Sequence, residues 1–356
     1  MSFEKYEEKN TDALYGLRFI LISLLILFHM GVPNTSGALC VASFTILSGF
    51  LIGYSNQKKV VSYSWRSVWE FYKRRLKKIY PLYFLATCLS LIIMVCFTHE
   101  EFSINDLLRH LLMVKTWLPI EIEKSFWFGG AIWYISLIWF CYLITPIIYT
   151  GGGYIERKIQ CRYSLLIASA VLYIVYVSVI LLISGVVIPY SFTWWIVYIS
   201  PLRSVEFTIG MLCGMYYAKR KKHKWKNSII QCVVYTIIEV LVIIVIINVQ
   251  RYFTTESSFG IAACWTIPSL MLIWICLEGN GVVGKLLSSK QLISLGKLNY
   301  PMLCCHQVLF NYLSGCLGGV WWYSKDIGNL IYLRIIFIFI LIICISDILK
   351  RTFCTW

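Results

Sequence analysis

Ten predominantly apolar segments follow one another along the chain, each long enough to cross a bilayer as a helix. The 356 residues are 59% hydrophobic and only 14% charged, and the mean hydropathy is +0.73. This composition excludes a soluble globular domain. Because only helices and closed barrels span a bilayer, we predict an all-α polytopic membrane protein with about ten transmembrane helices. Their approximate bounds are 15–32, 38–55, 80–97, 128–149, 164–183, 194–217, 228–249, 260–277, 296–316 and 328–349.

The positive charges predict the orientation of these helices. Of the 32 Lys and Arg residues, 24 fall in alternate loops and tails and five in the opposite loops. Since cationic loops stay in the cytoplasm, both termini are predicted to be cytoplasmic. The net charge of +15 therefore indicates membrane topology and not nucleic-acid binding. We expect a tail at 1–14, a single transmembrane domain at 15–349 and a second tail at 350–356.

The 14 cysteines do not indicate a metal site or a disulfide framework. Most lie within apolar segments, and no CxxC pair occurs, so they are interpreted as small buried apolar residues. We expect no bound cofactor and no metal.

The first apolar segment carries two ionisable residues in the sequence GLRFILISLLILFH. Ten residues separate Arg18 from His29, and only Ser23 among them is polar. Residues eleven apart on a helix are rotated by about 1100°, so both side chains share a face and lie about 16 Å apart along the axis. Ionisable residues within a span usually face a protein interior or a polar cavity. The alternative is an arginine that extends to the membrane surface and a histidine packed in the core.

Other charged groups within the segments are also candidates. Arg203 and Glu206 lie at i, i+3, so they can pair on one helix face, either as a buried lock or as part of a site. Glu239 has no partner evident from the sequence, and His306 lies near the middle of the ninth segment.

The third segment is preceded by the basic sequence FYKRRLKKIYPLYF, with Pro81 predicted in the first turn of the helix. This sequence is either an ordinary cytoplasmic loop or an anion clamp for a phosphorylated ligand. The similar run at 219–226 is interpreted as a topology signal. The outer loop at 98–127 contains LLRHLLMVKTWL, whose periodicity predicts an interfacial or re-entrant helix.

Five stretches together resemble the integral-membrane acyltransferase 3 family, bacterial O-acyltransferases that decorate surface polysaccharides. They occur in the family's order: LYGLRFILISLLILFH, SFTILSGFLIG (43–53), RRLKKIYPLY (74–83), PLRSVEFTIGMLCG (201–214) and LGKLNYPMLCCH (295–306). The resemblance implies that His29 is the essential histidine, with Arg18 as its partner. It also implies that Arg75 and Lys78, beside Arg74, form a basic site for the acyl-CoA donor. Lysine stands here where the family has a second arginine, and WYISLIWF (133–140) lacks the glutamate that some members carry.

These observations together predict a membrane O-acyltransferase of the bacterial cytoplasmic membrane. It would move an acyl group, expected to be acetyl from acetyl-CoA, to a hydroxyl of a surface or exported polysaccharide or a lipid-linked glycan. From helix depth, Glu206 with Arg203 is a candidate to orient the His29 imidazole. Possible cavity residues are Ser48, Tyr80, Trp133 and His306. The rival hypotheses are a transporter of a polysaccharide precursor, which would need no acyl-CoA site, and a structural subunit without catalysis.

Overall fold

The structure is a computed structural model, and it describes residues 2–55, 64–98, 101–121, 124, 128–185, 190–219, 229–252, 262–317 and 330–353. Positions 58–59 and 220–226 of the basic loops lie outside the described residues. Within these ranges the chain forms α-helices and short 3₁₀- or π-helical turns. The α-helices are α1 (Ser2–His29), α2 (Gly37–Ser55), α3 (Trp65–Ile93), α4 (Ile104–Leu111), α5 (Trp133–Ile159), α6 (Ser164–Gly185), α7 (Tyr190–Trp194), α8 (Ser204–Lys219), α9 (Ile229–Tyr252), α10 (Thr266–Glu278), α11 (Val282–Leu287), α12 (Lys290–Gly296), α13 (Asn299–Leu317) and α14 (Leu330–Phe353).

Eight helical stretches in the described part of the chain are long and apolar enough to cross a membrane. The protein is therefore an all-α polytopic membrane protein, as the sequence predicts. The apolar helix Ala263–Glu278 is shorter than these eight. Helix α13 is also outside the set, because Asn299, His306, Gln307 and Asn311 reduce its mean hydropathy. The count of ten and the cytoplasmic termini thus stay predictions.

The prediction that Pro81 lies in the first turn of the third helix is wrong. Helix α3 begins at Trp65, where the Ser64 side chain accepts a hydrogen bond from the Ser67 backbone N–H, and Pro81 lies in its interior. Apolar composition marks only the part of a helix that the membrane covers. The basic run continues the same helix beyond that part.

The sixth predicted segment is a helix broken at Pro201. A π-helical turn (Trp195–Ile199) and a 3₁₀ turn (Pro201–Arg203) separate α7 from α8. Proline lacks the N–H that would continue the ladder, and the Ser200 hydroxyl caps the new helix start by accepting from the Leu202 N–H. Arg203 therefore lies at an irregular turn, next to the helix that carries Glu206.

Helices α1, α2 and α8 form the centre of the bundle. Helices α6, α9 and α14 lie at its edge, with few of their residues buried. The inner end of α1 is fixed by the α11–α12 region, because Gly16 lies against the Leu287 carbonyl and Gly296 against the Tyr15 carbonyl. This packing joins the first and last of the five sequence motifs.

Candidate active site

The two intramembrane histidines lie side by side. His29 is the last residue of α1, and its ring centroid is 5.4 Å from that of His306 on α13. His29 is partly buried, whereas His306 is completely buried. The sequence places His306 in the middle of a helix but cannot show which helix it faces.

The hydrogen bonds of His306 fix its tautomer. Its Nδ1 atom lies 2.8 Å from the Met302 carbonyl, which can only accept, so Nδ1 carries the proton. Its Nε2 atom is buried and has no hydrogen-bond partner among the described residues. A buried acceptor without a hydrogen-bond partner costs free energy. The Nε2 lone pair is therefore available to a hydrogen-bond donor at the site.

Arg18 lies among aromatic side chains, at the other end of the α1 face that it shares with His29. Its guanidinium lies 5.6 Å from the Tyr15 ring centroid. It also interacts electrostatically with Tyr134, Tyr142 and Arg75. Arg18 therefore faces the protein interior and does not extend into lipid.

Arg75, in the basic part of α3, lies within electrostatic range of Arg18. The Arg75 guanidinium lies 5.0 Å from the ring centroid of Tyr142 and 5.3 Å from that of Phe71. Arg74 and Lys78 are exposed on the same helix. The structure thus brings one of the three predicted donor-site residues inward and leaves two at the surface.

Lys297 is a further cation near this end of α1. Its ammonium lies 6.0 Å from the Tyr15 ring centroid, so both Lys297 and Arg18 contact the same aromatic ring. Sequence reasoning missed Lys297 as a site residue, although it belongs to the motif LGKLNYP. Its proximity to Arg18 comes from the close packing of Gly296 on α1.

Arg203 and Glu206 form a buried and mutually satisfied ion pair, as their spacing predicts. Both are fully buried, and Arg203 Nη2 lies 3.0 Å from each Glu206 carboxylate oxygen. The Tyr176 hydroxyl donates to Glu206, and Arg203 donates to the Tyr198 carbonyl. None of the pair's contacts among the described residues reaches His29. This arrangement favours the structural interpretation, and a role in orienting the imidazole stays a prediction.

The other predicted cavity residues fall in different places. Ser48 lies near the Tyr134 hydroxyl, in the group of residues around Arg18. Trp133 is buried and packs on the Tyr198 ring at 5.4 Å, beside the Arg203 pair. Tyr80 stacks on Phe84 at 6.1 Å and also contacts the Tyr83 ring, and its ring contacts within the described residues do not include His29 or His306.

The predicted helix of the outer loop is present only in part, because α4 ends at Leu111 and residues 112–118 form turns and irregular structure. Helix α4 carries a buried titratable group that the sequence did not reveal. His110 is completely buried, and its Nε2 lies 3.1 Å from the Thr87 hydroxyl. Lys115 is only 2% exposed and lies over the Phe128 ring. Burial lowers the pKa of Lys115 to about 7, although Asp106 acts in the opposite direction. Burial and then the Lys115 charge hold the pKa of His110 well below its usual value.

No three His, Cys, Asp or Glu side chains lie close enough to hold a metal ion within the described ranges.

Comparison with known proteins identifies the family. A family model described as an acyltransferase domain matches residues 12–349. Acyltransferase MdmB of Streptomyces mycarofaciens is 26% identical over 312 residues, which are 82% of this chain and 73% of that protein. O-acetyltransferase OatA of Staphylococcus aureus is 26% identical over 158 residues, 41% of this chain and 26% of OatA. No solved structure matches the chain. The chain belongs to this acyltransferase family and is a multi-pass membrane acyltransferase.

Proposed function

We propose that this protein is an O-acetyltransferase of the bacterial cytoplasmic membrane that takes the acetyl group from cytosolic acetyl-CoA and transfers it to a sugar hydroxyl on the opposite side. The observation that supports this most strongly is the contact between His29 and His306, because His29 shares a face of α1 with Arg18. The name of the relative OatA supports acetyl as the group.

The histidine pair suits proton transfer. The unprotonated His306 Nε2 can accept a hydrogen bond from one N–H of the His29 ring, which leaves the other His29 nitrogen free as a base. In direct transfer, this nitrogen takes the proton of the sugar hydroxyl as its oxygen attacks the thioester carbonyl. The carbon–sulfur bond breaks, and the proton passes to the leaving CoA thiolate. A relay is the second route, in which the His29 nitrogen attacks first, CoA leaves, and the sugar oxygen then takes the acetyl group from the ring.

The opposite end of α1 suits an anionic donor. CoA carries phosphates, and arginine matches phosphate oxygens with paired N–H donors. Arg74 and Lys78 offer exposed charges for a first encounter, while Arg75 lies further in, within electrostatic range of Arg18. The donor arm would then extend from Arg18 along α1 towards His29. Arg74 and Lys78 would thus make the first contact with the donor, and Arg75 would bind it further in.

The catalytic role is tested by analysing the ester content of the cell's surface glycan with and without the protein. The wild-type gene should supply an acetyl ester that is missing in its absence. His29→Ala should abolish the ester, and His306→Ala should reduce it at least tenfold, with unchanged amounts of protein in the membrane. Full ester content with His29→Ala would refute the proposal.

The donor site is tested separately by binding of radiolabelled acetyl-CoA to the purified protein. Arg75→Gln should weaken binding at least tenfold. Arg157→Gln removes the same charge from an exposed position near the end of α5 and should leave binding unchanged. A wild-type protein that binds no acetyl-CoA would favour the transporter hypothesis instead.

A further inference from the structure

We propose that a cleft on the predicted outer side, formed by α4, residues 119–121 and 124, and the α7 region, binds the sugar rings of the acceptor. This inference rests on the proposed function. The cleft has a volume of about 320 Å³, within the range of small-ligand sites. Its wall combines two aromatic rings with two acidic and two basic side chains: Phe192, Trp195, Asp106, Glu121, Arg109 and Lys124.

The aromatic wall suits the apolar face of a sugar. The Phe192 and Trp195 ring centroids lie 5.4 Å apart, and Phe192 is 38% exposed. The C–H groups of a sugar ring form a flat apolar face, which packs on aromatic rings, while its hydroxyls point outward to polar groups. The cleft offers both kinds of contact within one volume.

The charges favour a polyhydroxylated ligand over a highly charged one. Asp106 accepts hydrogen bonds from Ser103, and Glu121 pairs with Lys124 at 3.0 Å. Arg109 is exposed and has no side-chain partner among the residues that the structure describes. Its guanidinium can therefore donate to sugar hydroxyls or to one sugar carboxylate. Because the formal charges cancel, a nucleotide with several phosphates would gain little here.

Contacts connect the cleft to α5 and to the helix that carries His306. The Trp195 indole N–H donates to the Thr116 carbonyl, and the Thr116 hydroxyl donates to Ser136 on α5. Gly129 and Gly130, which precede α5, adopt left-handed backbone conformations, with φ of +115° and +55°. There Gly130 lies so close to Gln307 that an added Cβ would be 2.2 Å from its side chain. Gln307 directly follows His306, so this series of contacts joins the cleft to the site.

The test measures sugar binding without any acyl donor. The full chain in lipid nanodiscs is titrated with three uncharged oligosaccharides, cellotetraose, chitotetraose and maltotetraose, by saturation-transfer NMR. At least one of the three should bind, and Phe192→Ala and Arg109→Gln should each weaken that binding at least tenfold. Phe97→Ala is the matched control, because Phe97 is a 40% exposed ring on the outer side that does not line the cleft.

Each outcome decides the inference. It is wrong if none of the three oligosaccharides binds the wild type, or if Phe97→Ala weakens binding as much as Phe192→Ala does. Sugar binding that persists in a protein without acetyl-CoA binding would refute the proposed function and leave the cleft assignment intact.

Discussion

The carboxylate of Glu239 holds the short helix α11 against α9. It is 1% exposed, and its two oxygens accept hydrogen bonds from the backbone N–H groups of Val283 and Gly284 at 2.9 and 2.8 Å. These N–H groups open α11 and have no partner within the helix. A buried charge is thus compensated by the start of a helix 44 residues further on.

Glu239→Gln should therefore destabilise the protein. The amide can satisfy only one of the two N–H groups as an acceptor, which costs about 1–3 kcal/mol of unfolding free energy. Denaturant unfolding in detergent measures this loss. Glu156→Gln breaks the surface pair with Lys219 and should change stability by less than about 1 kcal/mol. Equal effects of the two variants would show that Glu239 is not specially stabilising.

Lys115 makes stability depend on pH. Its pKa of about 7 in the folded protein lies below the ordinary lysine value of 10.5. Between these values the unfolded chain holds a proton that the folded chain lacks, so stability should rise as pH increases from about 7 to about 10.5. Lys115→Met should flatten this rise in melting temperature between pH 6.5 and 9. Lys158→Met, at an exposed position, should keep the wild-type pH dependence, and an unchanged slope in Lys115→Met would contradict the assignment.

At the scale of elements, the crossing of α2 and α8 depends on two pairs of small residues. Gly49 and Gly53 lie against backbone atoms of α8, and Gly210 and Gly214 lie against backbone atoms of α2. Glycines four apart let two helices approach closely within a membrane. The family-like motifs SFTILSGFLIG and PLRSVEFTIGMLCG thus contribute to packing at the centre of the bundle.

Gly210→Ala should separate these two helices. An added Cβ would lie 2.2 Å from the Ile46 carbonyl oxygen, and backbone cannot move aside as a side chain can. We expect a loss of about 1–3 kcal/mol of unfolding free energy. Gly153→Ala adds the same atom to a helix where nothing lies within 4 Å, and it should stabilise by about 0.5–1 kcal/mol. A Gly210→Ala protein as stable as the wild type would refute the crossing.

At the scale of the whole molecule, the candidate site extends from one predicted side of the membrane towards the other. Arg18, Arg75 and Lys297 cluster at the end of α1 that the charge distribution predicts to be cytoplasmic. The histidines lie towards the other end, on the side of α4 and of the buried Lys115 that follows it. The predicted orientation therefore decides which compartment supplies the donor.

One native and one introduced cysteine test this orientation. Cys161 is exposed between α5 and α6, and Leu118, which is 54% exposed, lies in the outer loop on the opposite predicted side. In right-side-out vesicles of Leu118→Cys a membrane-impermeant maleimide should modify position 118, while Cys161 should react only after permeabilisation. Peptide mass spectrometry identifies each site. The reverse pattern would invert the topology and place the Arg18 end outside.

The sequence by itself determined the features that depend on local pattern. Apolar composition determined the helical membrane architecture, and i, i+3 spacing determined the Arg203–Glu206 pair, because a helix fixes the positions of near neighbours. The Arg18–His29 face follows in the same way. The start of the helix that contains Pro81 could not be predicted from the sequence. Apolar composition indicates where the membrane-covered part of a helix ends, and the helix itself continues into the basic run.

Only the tertiary structure decided which helix faces which. It brought His306 to His29, Arg75 to Arg18 and Lys297 to Tyr15, and it supplied the backbone partners of Glu239. These contacts join segments far apart in the chain. They depend on close packing at positions such as Gly16, Gly49 and Gly296, where the absence of a side chain sets the distance between helices. The residue pattern along one helix carries no information about the neighbouring helix, so the residues of the site come together only when the helices pack.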